Sequence, residues 1–100
     1  MIYRVRLADA AEADLRNIFE TISERASPTI ARGYVNRILR YIGGFDVFPQ
    51  RGRVRNNIRR GLRIVGFERR VGIAFVVEDD EVVVLRILYG GQRFESGDAG

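Results

Sequence analysis

VGIAFVVEDDEVVVLRILY, residues 71–89, decides the fold. Val71 to Val77 is one near-continuous apolar run and Glu81 to Leu88 is another. Both are rich in β-branched residues, the composition of central strands covered on both faces. The acids between them, Glu78, Asp79, Asp80 and Glu81, read as a solvated turn, so the runs pair as an antiparallel hairpin. Gly90-Gly91 closes the second strand.

Upstream, Leu62, Ile64 and Phe67 begin another strand, whereas Gln50 to Arg60 has arginines, Gly52 and Asn56-Asn57 but no apolar period, and reads as a loop. Residues 2–7 alternate, with Tyr3, Val5 and Leu7 on one face and Arg4 and Arg6 on the other, which predicts a half-buried first strand. Asp9 and Glu12 form a capping-box-like start to a helix over about 9–25, with Ala11, Leu15, Ile18, Phe19 and Ile22 on its apolar stripe. Ser27-Pro28 starts a second helix, since serine can cap its free amides and proline at the first position loses no hydrogen bond. Its stripe, Ala31, Val35, Ile38, Ile42 and Phe45, continues through Gly43-Gly44 and places the end near Asp46. The order is β-α-α-β-β-β. This is an α+β fold, a helical hairpin packed on a small antiparallel sheet, in a single domain over residues 1–100 with 95–100 expected as a mobile tail.

Composition narrows the chemistry. A 46% hydrophobic, 30% charged chain of 100 residues has the make-up of one globular domain. All 17 basic residues are arginine; Lys, His, Cys and Trp are absent. That removes thiolate nucleophiles, disulfides, Cys/His zinc sites, Ser-His-Asp triads, Walker A loops and Schiff bases. No metal or cofactor is expected. The groups left suit binding and charge stabilisation better than proton transfer near pH 7. MIYRVRL lacks the apolar run of a signal peptide, and no stretch approaches the ~20 apolar residues of a membrane span, so the cytoplasm is the expected compartment.

Charge is unevenly placed. Residues 51–70 hold 8 Arg and 1 acid, whereas 71–100 hold 2 Arg and 6 acids. The cluster Arg51, Arg53, Arg55, Arg59 and Arg60 suits an anionic partner, either nucleic acid or an acidic protein segment; a solvated loop in an arginine-biased sequence is the plain alternative. Arg63 and Arg86 fall in expected strands, and Arg86 interrupts an apolar one. It must either pair with a carboxylate or open onto a functional face. Glu68, the one acid among eight arginines, is the obvious salt-bridge partner, with a catalytic base as the sharper alternative. Tyr89 either packs at the sheet end or stacks on a base.

Several short segments, taken in order, carry a family likeness: Ala10–Leu15 (AAEADL), Ser27-Pro28-x-x-Ala31, Phe48-Pro49-x-x-Gly52, Gly61-Leu62-Arg63, and Asp79-Asp80-x-Val82 running into Leu85-Arg86-Ile87-Leu88-Tyr89-Gly90 and on to Arg93. Over roughly residues 2–94 the chain resembles the ParE branch of the RelE/ParE toxin superfamily. It departs from the usual pattern at Tyr89, where His is common, and at Phe94, where Asp is common. The resemblance implies the same β-α-α-β-β-β fold and a toxin of a bacterial type II toxin–antitoxin module, neutralised by a ParD-like antitoxin. ParE-branch toxins are associated with DNA gyrase inhibition, RelE-branch toxins with ribosome-dependent mRNA cleavage.

Arg63 stands at a basic position of the nuclease branch, but Val65 and Gly72 occupy others, and the tail after Arg93 has no Tyr. The leading expectation is therefore a gyrase inhibitor without catalytic residues of its own. A RelE-like nuclease and a non-toxic antitoxin-binding homologue are the alternatives, and direct nucleic-acid binding is open. Target contacts are expected among Arg59, Arg60, Arg63, Arg86, Tyr89 and Arg93. Antitoxin contacts are expected among Phe19, Ile22, Tyr34, Tyr41, Phe45, Arg51 and Arg53, although the Phe19, Ile22, Tyr34, Tyr41, Phe45 and Phe48 set reads more plainly as core.

Overall fold

In the computed structural model, which describes residues 2–94, the two apolar runs form β4 (Val71–Glu78) and β5 (Glu81–Tyr89). They pair antiparallel from Glu78↔Glu81 to Val71↔Tyr89. The hairpin turns through Asp79 and Asp80, with Asp79 at φ 55°, a left-handed conformation that Asp tolerates better than most residues. β3 (Arg63–Phe67) pairs antiparallel with β4.

Two features of the sheet differ from the expected one. β1 (Arg4–Leu7) runs parallel to β5, Val5 opposite Val82 and Leu7 opposite Val84, so the sheet is mixed. A fifth strand, β2 (Arg53–Val54), lies inside the segment expected as loop and pairs with Ile64 and Arg63 of β3. The sheet order is β1-β5-β4-β3-β2. Gly52 admits β2 to this edge: its φ is +70°, and a Cβ there would lie 2.9 Å from Val65 Cβ.

The helices are α1 (Asp9–Arg25) and α2 (Pro28–Gly43), the latter tightening into a 3-10 turn over Gly44–Asp46. Ser27 caps α2 as expected, its Oγ accepting the Ile30 N–H at 3.1 Å. The capping box on α1 does not form. Ala8 occupies the cap position without a side-chain bond, and Asp9 and Glu12 act instead as negative charges in the first turn.

Packing uses both sheet faces. Against the helices, Ala11, Ile18, Ile38, Ile42 and Phe45 meet Val71, Ile73, Phe75, Val82, Val84 and Ile87. On the other face Leu62, Ala74, Val76, Val83, Leu88 and Phe94 form a second cluster with Ile58, Ile64 and Leu85 around it. Burial on both sides is why β4 and β5 read as continuous apolar runs rather than alternating ones. Phe94, where the family pattern commonly has Asp, is buried in this cluster. The tail expected at 95–100 lies outside the described residues.

β1 covers only the first half of β5. Ala8 N–H still reaches Val84 O at 2.8 Å, and there the ladder stops. At that point Phe75 faces Val84 and Ala74 faces Arg86, leaving Leu85 as a bulge. Beyond the bulge α1 takes over the edge. The Asp14 carboxylate accepts Arg86 Nε–H at 2.7 Å, an Arg86 terminal N–H at 2.8 Å, and the Ile87 backbone N–H at 2.8 Å. Asp14 is 7% exposed, so its charge depends on those donors. Of the two expectations for Arg86, pairing with a carboxylate is the one the structure shows; it is not presented for target contact.

Asp14→Ala takes the carboxylate from the partly buried Arg86 guanidinium and the acceptor from the buried Ile87 amide, and is expected to cost about 2–4 kcal/mol in denaturant unfolding. Arg86→Met combined with Asp14→Leu should recover only part of that loss, because the Ile87 amide stays without its acceptor. A cost under about 1 kcal/mol for Asp14→Ala would show that the pair does not hold the helix to the strand.

Candidate partner-binding surface

The residues expected to meet an antitoxin split into two groups. Phe45 is fully buried, its ring 4.8 Å from Phe75 and 5.5 Å from Tyr41, so it is core and not a contact residue. Arg51 is also structural. Its Nε donates to Phe48 O at 2.6 Å and a terminal nitrogen to Gly44 O at 3.1 Å, while its guanidinium lies 5.0 Å from the Phe45 ring centre and 5.4 Å from that of Tyr41. It thereby puts a cation on the carbonyls at the end of α2, where the helix dipole favours one.

Phe19, Ile22, Tyr34 and Tyr41 are half-buried along the helix layer, and Arg53 is exposed on the edge strand. Tyr41 stacks on Phe67 at 4.8 Å, and Tyr34 meets Tyr89 edge-on at 6.1 Å. The Tyr34 hydroxyl is buried without a hydrogen-bond partner among the described residues, and that burial raises its pKa. Tyr89 thus packs at the sheet end. Phe48, read as core, is 69% exposed, with Val47 and Ile2 exposed on either side of the Tyr3 N–H···Asp46 O bond.

The candidate target residues do not converge on one site. Arg86 is held by Asp14, and Arg63 is half-buried, donating to Arg51 O at 3.4 Å. Arg93 lies elsewhere. With Arg55 it rims a groove on the helix-free sheet face, floored by Ile58, Ile64, Gly72, Leu88 and Phe94. Arg59 is half-buried and Arg60 exposed in the loop beside it. Sequence reading missed Arg55 as a partner of Arg93, because only folding brings the two together.

Ion pairing explains why this region stays basic. Arg4 and Arg6 of β1 take Asp80 at 3.0 Å and Glu81 at 3.3 Å, so half the acidic turn is compensated at the opposite edge of the sheet. Glu68 pairs with none of its neighbouring arginines. Glu68 and Arg69 adopt φ 48° and 65°, and the turn delivers the carboxylate to Arg37 of α2, which donates at 2.9 and 3.1 Å. Arg53, Arg55, Arg60, Arg69, Arg70 and Arg93 have no carboxylate partner among the described residues.

The groove therefore offers guanidinium donors, an amide from Gln92 and apolar carbon. Such a lining binds an acidic or phosphorylated group beside an apolar one. Among the described residues no group of three or more His, Cys, Asp or Glu could hold a metal ion, and no helix is long and apolar enough to cross a membrane.

Hydrogen bonding from Arg37 holds the Glu68 carboxyl below the usual carboxylate range. A depressed folded-state pKa contributes stability at pH values above the unfolded-state pKa, and that contribution is lost as pH falls through the folded value. A carboxyl NMR titration should place Glu68 below an ordinary glutamate, and Arg37→Ala should return it to the ordinary range. An unchanged midpoint in Arg37→Ala would remove the clamp from this account.

Comparison with known proteins fits this architecture. Toxin ParE3 of Caulobacter vibrioides is 30% identical over 87 residues, covering 87% of this chain and 86% of that protein. A structure titled chromosomal ParDE TA system from P. aeruginosa superposes with a TM-score of 0.78 at 24% identity, covering 88% of this chain and 96% of that one. The toxin–antitoxin complex RelBE2 of Mycobacterium tuberculosis is more distant, with a TM-score of 0.57 at 19% identity and coverage of 89% and 99%. Both structural likenesses speak to the fold. The family described as ParE toxin of type II toxin-antitoxin system, parDE, matches residues 5–94, almost the whole described chain, and this protein belongs to it.

Proposed function

We propose that this chain is the toxin of a type II module, neutralised by a cognate ParD-like antitoxin, and that in the cytoplasm it inhibits DNA gyrase by binding rather than by cutting RNA. The observation that carries the reading is the helix-free sheet face of a ParE-family chain, where Arg55 and Arg93 rim an apolar floor with no carboxylate among the described residues of the lining. Cleavage of RNA asks for groups that take a proton from the attacking hydroxyl and protonate the leaving oxygen. Guanidinium groups remain protonated at any physiological pH and serve only to stabilise charge.

Two further observations weigh against the nuclease alternative. Val65, at a position where the RelE branch commonly has a basic side chain, packs toward the helix-side core, and Arg63 is engaged with the Arg51 carbonyl. An antitoxin partner accords with the solved relatives, which are toxin–antitoxin complexes.

Purified toxin should block gyrase supercoiling and increase cleaved DNA in a gyrase reaction, and added antitoxin should reverse both. No effect on gyrase, combined with new ribosome-dependent transcript 5′ ends after induction, would replace this reading with the nuclease. Normal growth under strong induction of soluble toxin without antitoxin would point to a non-toxic homologue.

A further inference from the structure

The β3–β4 turn holds a conformation that its residues do not favour. Glu68 and Arg69 both adopt left-handed backbone, φ 48° and 65°, at hairpin positions that ordinarily go to Asn or Gly. Glu68 has an internal cause, the two bonds it accepts from Arg37. Arg69 has none. It is exposed in a turn closed by the 2.8 Å bond from Arg70 N–H to Glu68 O, and no carboxylate meets it among the described residues. A charged side chain kept on strained backbone without an internal contact points to a contact outside the chain.

Other arginines gather around it. Arg37 fixes α2 beside the turn, and Arg40, three residues on, lies on the same side of the helix and is exposed. Arg70 is close enough to Tyr34 to act electrostatically on its hydroxyl. Neither Arg40 nor Arg70 has a carboxylate partner among the described residues. The two helices extend the contrast, since α2 carries three arginines and no acid, whereas α1 carries five acids and two arginines. Charge separated in this way turns the α2 side of the molecule toward a polyanion and the α1 side away from it.

The surroundings say which polyanion. Guanidinium forks match phosphate oxygens. Single-stranded nucleic acid also asks for free aromatic faces on which its bases stack. Here those faces are covered: Tyr41 stacks on Phe67, and the Arg37 guanidinium lies 5.2 Å from the centre of the Tyr34 ring. A duplex backbone needs only positive charge and hydrogen-bond donors.

We propose that α2 and the β3–β4 turn form a docking edge for the phosphate backbone of duplex DNA, with Arg40, Arg69 and Arg70 on its phosphates. The choice of DNA over RNA rests on the gyrase reading above, because a gyrase inhibitor meets its target on DNA, and the edge holds the toxin to the duplex beside the enzyme. It is separate from the Arg55–Arg93 groove on the helix-free face.

The test is fluorescence anisotropy of a labelled DNA duplex titrated with the full chain over a range of salt concentrations. Expected is binding that weakens with salt, with Arg40→Gln, Arg69→Gly and Arg70→Gln each lowering affinity several-fold and flattening the logarithmic salt dependence by about one unit. Arg69→Gly also relieves the left-handed backbone, so its melting temperature should be no lower than the parent's, which separates loss of binding from loss of fold. Arg4→Gln, at the opposite edge of the sheet, should bind like the parent. Three substituted chains that bind like the parent overturn the edge, and so does an equal loss in Arg4→Gln, which would reduce the effect to net charge. Stronger binding to an RNA duplex of the same sequence overturns the choice of DNA. Gyrase inhibition lost in these variants at unchanged DNA affinity gives the edge to an acidic protein face and overturns it as well. A parent chain that blocks gyrase but binds no duplex removes the edge and leaves the gyrase reading intact. One that binds DNA through these arginines without affecting gyrase supports the edge and removes that reading.

Discussion

One carboxylate joins the two layers of this protein. Asp14 receives a two-pronged guanidinium from Arg86 and the Ile87 amide, all within 2.7–2.8 Å, at the point where β1 stops and β5 continues alone. A free strand edge facing a helix would bury an amide with no acceptor, and an apolar side chain from α1 would leave it so. Asp14 satisfies the amide, and Arg86 makes the buried charge tolerable. Buried ion pairs are poor sources of net stability, but their geometry is demanding, so this one sets how α1 is placed along β5. α1 in turn packs against α2, and α2 carries Arg37 to the β3–β4 turn and leads into the 3-10 turn whose Gly44 carbonyl accepts from Arg51.

The sheet then divides the molecule into unlike halves. On the helix side, aliphatic and aromatic side chains interlock, with Phe45 tilted on Phe75 at 4.8 Å. On the other side, among the described residues, the loop before β3 and the segment 92–94 lie over the strands beside a groove. Electrostatics follow the same division. β1 brings Arg4 and Arg6 to the acidic β4–β5 turn, while Arg55 and Arg93 have no carboxylate partner among the described residues.

Sequence showed whatever had a period. The β4–β5 hairpin, the first-strand alternation and both helical stripes were legible because burial repeats over many residues. β2 was not, since two exposed residues make no pattern and its pairing depends on the backbone freedom of Gly52. Alternation in residues 2–7 marks a strand but says nothing of its neighbour, so the parallel pairing with β5 was invisible. Asp14 lies between Ala11 and Ile18 on the buried stripe of α1, and a lone acid there reads as noise until it is matched with the lone arginine in β5. Site residues were harder still. Arg51 looked like one of a cationic cluster and is a helix-end cap, Phe45 looked like a possible contact and is core, and the Arg55–Arg93 groove is assembled from segments far apart in the chain.

The span between Asp14 and Arg86 also governs timing. These residues are 72 positions apart, and Arg4, opposite Glu81, meets Asp80 at a separation of 76. On the ribosome the first strand and the helical hairpin are made before β5, their edge partner, which follows every other described element. Until β5 is out, α1 has no donors for Asp14, β1 has no ladder, and the groove has no Leu88 or Phe94. A chain wired in this way forms its groove only once β5 and Phe94 have followed the other described elements off the ribosome, so a product stopped before β5 lacks the groove.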